Sequence, residues 1–381
     1  MKVAIFTDND FDKVNGVTTA LTAVLRHAPP DVEPRIYTAA GLGADAPGYL
    51  ALRSFGLPIP FYGEMKMYVP RWREYLRRVR QDGVDVLHLT TPGPVGLAAL
   101  RVRRATGLPM VGSFHTDLAA YTEVLSGSVR LGGWMREYMR WIYGHCARVL
   151  VPSDATRGLL LRAHGQADRI EIWSRGVDTA LFSPAARSER LRAAWGVSED
   201  RPAVLYVGRV SREKGLDLLP ALSARLTASG RRHRLIVAGD GPLRRELTEA
   251  CPDAVFTGSL GRQAVAEVFA SADLFVFPSR TDTAGNVVLE AQAAGLPVVV
   301  SDAGGPREQM VNGMTGMVCP GEEVATWAYA LGRLLDEPRH RIALGRAARE
   351  YACARRWEAA LEPLYAAYRA AAREAAVSHA A

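Results

Sequence analysis

The segment from Pro278 to Pro306 constrains the fold of this chain more than any other stretch. An apolar run ends at Pro278, a polar loop follows, and a stretch of helical composition is stopped by Gly295-Leu296-Pro297. A second apolar run, Val298 to Val300, then leads into Gly304-Gly305. This order predicts strand, loop, helix, strand and glycine loop, which is the repeating unit of a parallel sheet in an α/β protein.

The same alternation of apolar runs and helical stretches extends along the chain. Strands are predicted where these runs occur, at residues 2–7, 84–89, 109–114, 149–151, 170–173, 203–208, 235–238, 255–256, 274–277 and 298–300. A length of 381 residues exceeds one ordinary core and predicts two domains. The pattern breaks after Asp178, so we predict a first domain over 1–182, a linker over 183–201 and a second domain over 202–355.

Composition excludes several classes of protein. The hydrophobic fraction of 48% is that of a globular chain, and no stretch approaches the run of about 18 apolar residues that a membrane span needs. The net charge of +7 would suit a nucleic-acid binder, but the basic residues are spread over helices without an aromatic platform, so we expect no nucleic-acid partner. The chain has four cysteines, Cys146, Cys251, Cys319 and Cys353, and they form no CxxC pair. This spacing predicts reduced thiols in a cytoplasmic protein.

Two carboxylates accompany the loop that follows Pro278. Asp282 lies in the loop ahead of the predicted helix, and Glu290, eight residues on, falls on the second turn of that helix. In open α/β sheets, ligands bind beyond the carboxyl ends of the strands, and the N–H groups at a helix N-terminus suit a phosphate. The loop from Ser279 to Gly285 is therefore predicted to bind a ligand that the two carboxylates flank.

Two cations occupy the corresponding loop of an earlier strand. Gly208-Arg209 ends the first strand of the second domain, and Lys214 lies five residues later. At the carboxyl end of a strand, Arg and Lys can together clamp a diphosphate. Gly239 and Asp240 follow the next strand, but their loop lacks the third glycine of a dinucleotide fingerprint, which weakens the alternative of an NAD-dependent oxidoreductase. Asp240 is expected to be a turn residue or a helix N-cap.

In the first domain, candidate residues follow two predicted strands. His115 lies directly after the run that ends at Phe114, so we expect it at the carboxyl edge of the sheet. In the loop after the first strand, Gly16 lets the backbone approach a ligand because glycine has no Cβ. The nearby triplet Asp8-Asn9-Asp10 matches a DxD metal motif, but no second ligand cluster supports a metal site, and we expect solvated loop acids there.

Six segments occur in the order found in one enzyme family. They are VNGVTTAL, SFHTD, RGVDTALFSP, GRVSREKG, AGDGP and TDTAGNVVLEAQAAGLP, and they span nearly the whole chain. The chain thus resembles the retaining glycosyltransferases of family 4, in particular the GDP-mannose-dependent α-mannosyltransferases. The resemblance implies the GT-B fold, in which two Rossmann-like, doubly wound α/β domains face a central cleft. It also implies that a last helix, here 356–375, returns to the first domain.

The resemblance implies roles for individual residues. Arg209 and Lys214 would bind the donor diphosphate, and Glu290 would bind the ribose hydroxyls. Asp282 and His115 would contact the hexose, so that these two and the two cations form the catalytic set. The remaining donor-binding positions lie in three loops: Gly16, Gly239, Thr283, Ala284, Gly285 and Asn286. Asp282 replaces the usual Glu, and Ala284 stands where an aromatic residue is common, which leaves the identity of the hexose open.

The resemblance also implies a hexosyltransferase that retains the anomeric configuration of its nucleotide-sugar donor. Fixed cations can stabilise the charge on the departing diphosphate, so neither a cofactor nor a metal ion is expected. The predicted donor is GDP-mannose, with a UDP-sugar such as UDP-glucose as the alternative. The hydroxyl acceptor is expected to be a membrane glycolipid or a polysaccharide precursor. A GT-B sugar-nucleotide epimerase and a non-catalytic sugar-nucleotide binder are the alternatives from other classes.

A basic amphipathic stretch in the first domain predicts one of two contacts. Trp72, Tyr75, Leu76 and Val79 recur at helical spacing, and five arginines fill the positions around them. Such a helix either packs on the core or docks reversibly on an anionic membrane surface. With a lipid acceptor, the second alternative predicts a cytoplasmic protein that binds the inner face of the plasma membrane.

Overall fold

The computed structural model describes residues 1–11, 15–39, 48–52, 54–59, 62–164 and 167–380. The chain forms two compact units. The first comprises Met1–Ser174 together with Ala360–Ala381, and the second comprises Arg175–Ala359. Each unit is built on its own parallel sheet, as the alternating apolar runs predict.

Strands and helices alternate over most of the described residues. The strands are β1 Lys2–Thr7, β2 Glu33–Thr38, β3 Tyr49–Ala51, β4 Ser54–Ile59, β5 Tyr62–Pro70, β6 Val86–Leu89, β7 Met110–Ser113, β8 Arg148–Val151, β9 Ile170–Ile172, β10 Ala203–Val207, β11 Arg234–Ala238, β12 Val255–Gly258, β13 Leu274–Phe277, β14 Val298–Ser301 and β15 Gly316–Cys319. The helices are α1 Gly16–Arg26, α2 Trp72–Asp82, α3 Pro94–Thr106, α4 Leu118–Ser126, α5 Val129–Tyr143, α6 Asp154–His164, α7 Glu189–Trp195, α8 Leu218–Ala228, α9 Arg244–Ala250, α10 Arg262–Ser271, α11 Asn286–Ala293, α12 Val324–Asp336, α13 Pro338–Cys353 and α14 Trp357–Ala380.

The sheet of the first unit has the strand order β3-β2-β1-β6-β7-β8-β9. Strand β1 pairs in parallel with β2 on one side and with β6 on the other. Because helices cover both faces of such a sheet, β1 is a continuous apolar run and not an alternating one. The strand order reverses between β1 and β6, and ligands bind beyond the carboxyl ends of strands at such a reversal.

The second unit has the strand order β12-β11-β10-β13-β14-β15. Its strands are again parallel, and Leu205 of β10 lies opposite Phe275 of β13. Both side chains are completely buried, as is Val299 on the next strand. The order reverses between β10 and β13, so the loops that follow these two strands leave the sheet side by side.

The ten predicted strands are confirmed, and every one begins and ends within two residues of its predicted bounds. Other strands were not predicted: β2, β3, the antiparallel hairpin of β4 and β5, and β15. Within the described residues, no helix is long and apolar enough to cross a bilayer.

The segment 183–201, predicted as a linker, belongs to the second unit. Helix α7 lies within it, and Trp195 is 5% exposed in the core of that unit. Arg192 Nη1 donates to Asp273 Oδ2 at 3.0 Å and to the Ser271 carbonyl oxygen at 2.9 Å. The charged composition indicated a linker, but the Arg192 guanidinium is buried and pairs with a partly buried carboxylate. The second unit accordingly begins earlier than predicted, at Arg175.

Helix α14 joins the first unit from Ala360 onward. The Tyr365 hydroxyl donates to the Val24 carbonyl oxygen of α1 at 2.8 Å. Arg369 Nε donates to Asp31 Oδ2, also at 2.8 Å. The apolar side chains of α14 face the same way and are buried: Ala360, Leu361, Leu364, Ala367 and Ala371.

Helix α2 places its apolar face in the core of the first unit. Tyr75 and Val79 are almost completely buried, and the Tyr75 ring stacks on Phe6 with centroids 5.7 Å apart. Of the two contacts predicted for this helix, its apolar face therefore makes the one with the core. The arginines of the opposite face remain exposed, among them Arg73, Arg77 and Arg80.

Candidate active site

An ion pair joins the loops that follow β10 and β13. Lys214 Nζ donates to both carboxylate oxygens of Asp282, at 2.8 Å to Oδ1 and 2.9 Å to Oδ2. The Thr281 hydroxyl donates to the Glu213 carbonyl oxygen at 2.9 Å and ties the same two loops together. The Lys214 side chain is 14% exposed and that of Asp282 is 22% exposed. The predicted phosphate-binding cation and the predicted hexose-binding carboxylate are thus in direct contact.

A buried carboxylate holds the second predicted cation. Glu213 Oε1 accepts from the Ser211 hydroxyl at 2.6 Å and lies 3.9 Å from Arg209 Nε. The Tyr206 hydroxyl donates to the Arg209 carbonyl oxygen at 2.8 Å and fixes the backbone of the same residue. Arg209 is therefore oriented before it meets a ligand, and a pre-oriented guanidinium loses less entropy when it binds a phosphate.

The predicted residues Thr283 to Asn286 form the start of helix α11. Gly285 is the N-cap and brings no capping side chain. The turn at Gly305 packs so closely that a Cβ there would lie 2.0 Å from the Thr283 carbonyl oxygen. Gly305 N also donates to the Asp282 carbonyl oxygen at 2.8 Å. The turn therefore holds the positive end of a helix dipole beside Asp282, where it favours a bound anion.

Gly239 lies against the loop that follows β10. Its φ of +142° is rare for other residues, and a Cβ there would lie 1.9 Å from the Gly208 carbonyl oxygen. Asp240 is exposed, and its Oδ1 accepts from Gly241 N at 2.8 Å. Asp240 Oδ2 accepts from Arg244 at 2.9 Å.

Glu290 lies on the second turn of α11 and is partly buried. Burial raises the pKa of its carboxyl to about 7, and the charge of Arg262 acts in the opposite direction. None of the described residues forms a hydrogen bond or an ion pair with this carboxyl. A partly buried carboxyl that has a raised pKa and no hydrogen bond from the described residues is a candidate for binding ligand hydroxyls.

His115 lies in the first unit, directly after β7. It is 8% exposed, and its Nε2 lies 2.8 Å from the Ser113 hydroxyl. Its ring stands edge-on to Trp173, with centroids 5.5 Å apart. These contacts hold the imidazole at the carboxyl edge of the sheet, where the sequence predicts it.

Gly16, the other predicted residue of the first unit, is the first residue of α1. The side chain of the N-cap, Asn15, accepts from Val17 N and from Thr18 N, each at 2.9 Å. The Thr18 hydroxyl in turn accepts from Asn15 N at 2.9 Å. Two N–H groups of this first turn are therefore bound by a capping box within the chain.

Asp8 differs from the solvated loop acid that the sequence predicts. Its Oδ1 accepts from Val95 N at 2.9 Å, and its Oδ2 accepts from the Thr91 hydroxyl at 2.7 Å. Burial raises its pKa to about 6, although these hydrogen bonds act in the opposite direction. Asp8 thus ties the loop after β1 to the first turn of α3, where a carboxylate interacts favourably with the helix dipole.

The residues that support His115 and Arg209 were not predicted from the sequence. Ser113 and His88 are completely buried, and Glu213 is 7% exposed. A polar side chain inside an apolar run, such as His88 in VLHL, is a signal that could have found the first two. Glu213 carried no such signal, because a Glu within a charged loop is typical of an exposed surface.

Two family models match the chain. The model described as Glycosyltransferase Family 4 matches residues 14–181, and the model described as Glycosyl transferases group 1 matches residues 201–337. The chain is 35% identical over 382 residues to a GDP-mannose-dependent alpha-mannosyltransferase of Mycobacterium tuberculosis, and this covers 97% of each chain.

Two further relatives have descriptions that differ from each other. A GDP-mannose-dependent alpha-mannosyltransferase of Corynebacterium glutamicum is 32% identical over 348 residues, which cover 89% of this chain and 82% of the relative. Sulfoquinovosyl transferase SQD2 of Arabidopsis thaliana is 30% identical over 338 residues, which cover 85% of this chain and 64% of the relative.

Solved structures of other proteins share the fold. Sucrose-phosphate synthase from Thermosynechococcus elongatus has a TM-score of 0.78 at 20% identity, covering 97% of this chain and 98% of the other. HepE of Anabaena in complex with UDP has a TM-score of 0.78 at 18% identity, covering 97% and 100%. At these identities the likeness shows the fold alone. The α/β fold predicted from the sequence, that of the GT-B enzymes, is confirmed.

Proposed function

Because the chain belongs to glycosyltransferase family 4 and is a glycosyltransferase with a nucleotide-sugar donor and a sugar acceptor, we propose that it transfers mannose from GDP-mannose with retention of configuration. The contact between Lys214 and Asp282 carries this proposal. In this proposal Lys214 binds the diphosphate and Asp282 binds the hexose, and the contact between the two side chains at the sheet edge supports it.

In the proposed reaction, the bond between the anomeric carbon and the diphosphate oxygen breaks. A bond from the same carbon to the acceptor oxygen forms on the same face, and the acceptor proton passes to a phosphate oxygen. Negative charge grows on the departing diphosphate, and Arg209, Lys214 and the start of α11 would stabilise it. Because two cations bear this charge, the proposal includes neither a metal ion nor a cofactor.

The choice of GDP-mannose is supported by the relatives of Mycobacterium tuberculosis and Corynebacterium glutamicum, which are described as GDP-mannose-dependent. A UDP-sugar is the second candidate, for two reasons. HepE, which shares the fold, binds UDP. Asp282 and Ala284 also depart from the family pattern at positions that would face the hexose.

A mass-spectrometric donor screen tests this proposal. GDP-mannose, UDP-glucose and UDP-N-acetylglucosamine are each incubated with the protein and a membrane lipid extract, with and without EDTA. We expect release of GDP that requires the extract, a lipid product heavier by one hexose with an α linkage by NMR, and the same rate in EDTA. If UDP-glucose were turned over and GDP-mannose were not, the proposed donor would be wrong. A β-linked product would contradict the proposed retention of configuration. A rate abolished by EDTA and restored by Mg²⁺ would overturn metal independence.

We propose that the acceptor is lipid-linked and that helix α5 makes the membrane contact, in place of α2. Trp134 and Trp141 are seven residues apart, so they lie on one side of α5, and they are 71% and 47% exposed. Leu131 lies near them and is 51% exposed, and Arg130 and Arg140 flank them at exposed positions. These five residues form the aromatic face of α5. Exposed Trp beside Arg is typical of helices that lie at the surface of an anionic bilayer.

A further inference from the structure

Four buried polar side chains in the first unit form one continuous run of hydrogen bonds. The Tyr368 hydroxyl of α14 lies 2.6 Å from His88 Nδ1, and His88 Nε2 lies 2.8 Å from the Ser113 hydroxyl. The same hydroxyl lies 2.8 Å from His115 Nε2. Tyr368, His88 and Ser113 are completely buried. This run, the Tyr368–His115 relay, therefore connects the last helix of the unit to the candidate catalytic histidine.

The relay has one favourable direction for its protons. Within the part of the chain that the structure describes, His88 is the one partner of the Tyr368 hydroxyl. If His88 donated to Tyr368, the tyrosine proton would be buried without an acceptor. A buried donor without a partner is rarer in proteins than an acceptor with an unused lone pair. Tyr368 therefore donates to His88 Nδ1.

Because His88 is neutral, the hydrogen bond that it accepts from Tyr368 fixes the one that it donates to Ser113. Burial lowers its pKa to about 3, and a neutral imidazole has one N–H group and one acceptor nitrogen. With Nδ1 accepting, the ring proton is on Nε2 and is donated to the Ser113 hydroxyl oxygen. Ser113 then directs its own proton to His115 Nε2. His88 and Ser113 each accept one hydrogen bond and donate one, so the direction set at Tyr368 extends to His115.

We propose that the Tyr368–His115 relay holds His115 as the neutral tautomer with its proton on Nδ1. Tyr368, His88 and Ser113 are then positioning residues, since they act through His115. Trp173 supports the arrangement because its ring lies 5.5 Å from that of His115 and 6.4 Å from that of His88, which limits rotation of both. The catalytic consequence rests on the proposed function: His115 would meet the hexose only as a donor through Nδ1, and never as a base.

Nuclear magnetic resonance tests the tautomer without any turnover. Long-range ¹H–¹⁵N spectra of the full chain with labelled histidine, recorded near neutral pH, show which ring nitrogens carry protons. We expect His115 to be protonated on Nδ1 alone and His88 on Nε2 alone. Ser113→Ala removes the central hydroxyl, so His115 should then exchange between both tautomers. A wild-type His115 protonated on Nε2 would overturn the relay, whether or not the protein uses GDP-mannose.

Kinetics test the positioning role. Ser113→Ala and Tyr368→Phe should each lower kcat by about tenfold or more while the KM for the donor changes less than twofold, and Ser113→Thr should restore most of the rate. Unchanged kcat in folded Ser113→Ala protein would overturn the positioning role. If Ser113→Ala does not fold, Tyr368→Phe, at the far end of the relay, decides in the same way. Absence of transfer by the wild type would count against the proposed function alone, because the spectra still report the tautomer.

Two matched variants control for lost stability. Ser223→Ala removes a hydrogen bond of 2.9 Å between a serine and His233 Nε2 in the second unit. Tyr365→Phe removes a buried hydroxyl from the same helix as Tyr368. We expect both controls to keep the wild-type kcat. A loss in the controls as large as that in Ser113→Ala and Tyr368→Phe would assign the effect to stability and overturn the positioning role.

Discussion

Lys214 and Asp282 neutralise each other, so a donor that uses both must compete with their ion pair. A diphosphate offers Lys214 more negative charge than one carboxylate does. The hexose hydroxyls, in turn, can donate to Asp282 once the lysine leaves it. Under the proposed function, recognition of the phosphate and of the sugar is therefore coupled. Asp282 becomes available to the sugar only when Lys214 leaves it to bind the phosphate.

Replacing Lys214 by Ala should impair the reaction strongly. Loss of a charge-assisted contact to a desolvated phosphate costs about 2 to 4 kcal/mol in the transition state, which is roughly a thirtyfold to several-hundredfold drop in kcat/KM. Arg212→Ala is the matched control, because Arg212 lies in the same loop but is 64% exposed and pairs with Glu246. A Lys214→Ala protein with the kcat/KM of this control would rule out the phosphate role.

Replacing Asp282 by Asn separates the two ligands of the pair. The amide cannot neutralise Lys214, so free GDP should bind as tightly as to the wild type or more tightly, while turnover of GDP-mannose falls about a hundredfold. Isothermal titration calorimetry with GDP and steady-state kinetics give the two quantities. Equal losses for GDP binding and for turnover would show that Asp282 does not face the sugar.

Glu290 should make both stability and nucleotide binding depend on pH. Its folded-state pKa of about 7 exceeds the ordinary value of 4.5, so the folded protein binds more protons than the unfolded chain between these pH values. Stability therefore falls as the pH rises through this window and levels off above it. Glu290→Gln lacks this loss, so its Tm relative to wild type should rise from pH 5 to pH 7.5 in scanning calorimetry.

Nucleotide binding should show the opposite trend. If the Glu290 carboxylate accepts ribose hydroxyls, the affinity of the wild type for GDP rises between about pH 6 and 8, as the carboxyl loses its proton. The affinity of Glu290→Gln should stay flat over this range. A wild-type affinity that is equally flat would remove Glu290 from the nucleotide site.

At the scale of elements, α5 and α2 make different predictions for membrane binding. If the aromatic face of α5 docks, Trp134→Ser/Trp141→Ser should abolish sedimentation with anionic vesicles, and the wild type should not sediment with neutral vesicles. Arg73→Glu/Arg77→Glu/Arg80→Glu on α2 is the comparison, and we expect it to weaken binding only at low salt. Loss of binding in the α2 variant alone would move the contact to α2. Binding that ignores lipid charge would exclude both.

Strands that are buried on both faces could be predicted from the sequence. Strands β1 and β13 are uninterrupted apolar runs, and their predicted and observed ends coincide. The hairpin of β4 and β5 was missed because Gly56, Pro58 and Gly63 interrupt any alternating pattern. Helix α7 was assigned to a linker because its sequence is charged. The carboxylate that pairs with its Arg192, that of Asp273, comes close to it only in the folded protein.

The second unit, as a whole, is one continuous segment of chain with its own core. It contains Arg209, Lys214, Asp282 and Glu290, so a fragment of residues 175–359 should fold and bind GDP with a Kd within about tenfold of the full chain. It should transfer no mannose, because it lacks His115. Circular dichroism, calorimetry and the transfer assay check these points. A fragment that transfers mannose would remove His115 from the reaction.

The candidate site could be predicted only as far as short motifs reach. Asp282 and Glu290 share one loop and helix, so their spacing is visible in the sequence. The contact between Lys214 and Asp282 crosses 68 residues, and that between His88 and Tyr368 crosses 280. No periodicity or motif relates residues so far apart. Such contacts follow from the order of the strands and the packing of the helices, which the sequence pattern left open.

The path of α14 has a consequence for biosynthesis. The first unit is complete only when residues from Ala360 onward join it, and Tyr365 reaches back to Val24 across 341 residues. During translation, the strands of the first unit emerge before α14 does. Until α14 is made, the surface that Leu361 and Leu364 cover in the native fold stays exposed to solvent. The second unit needs no such late segment. The half of the protein that is translated later can thus reach its native fold first, and the nascent first unit is where a chaperone would bind.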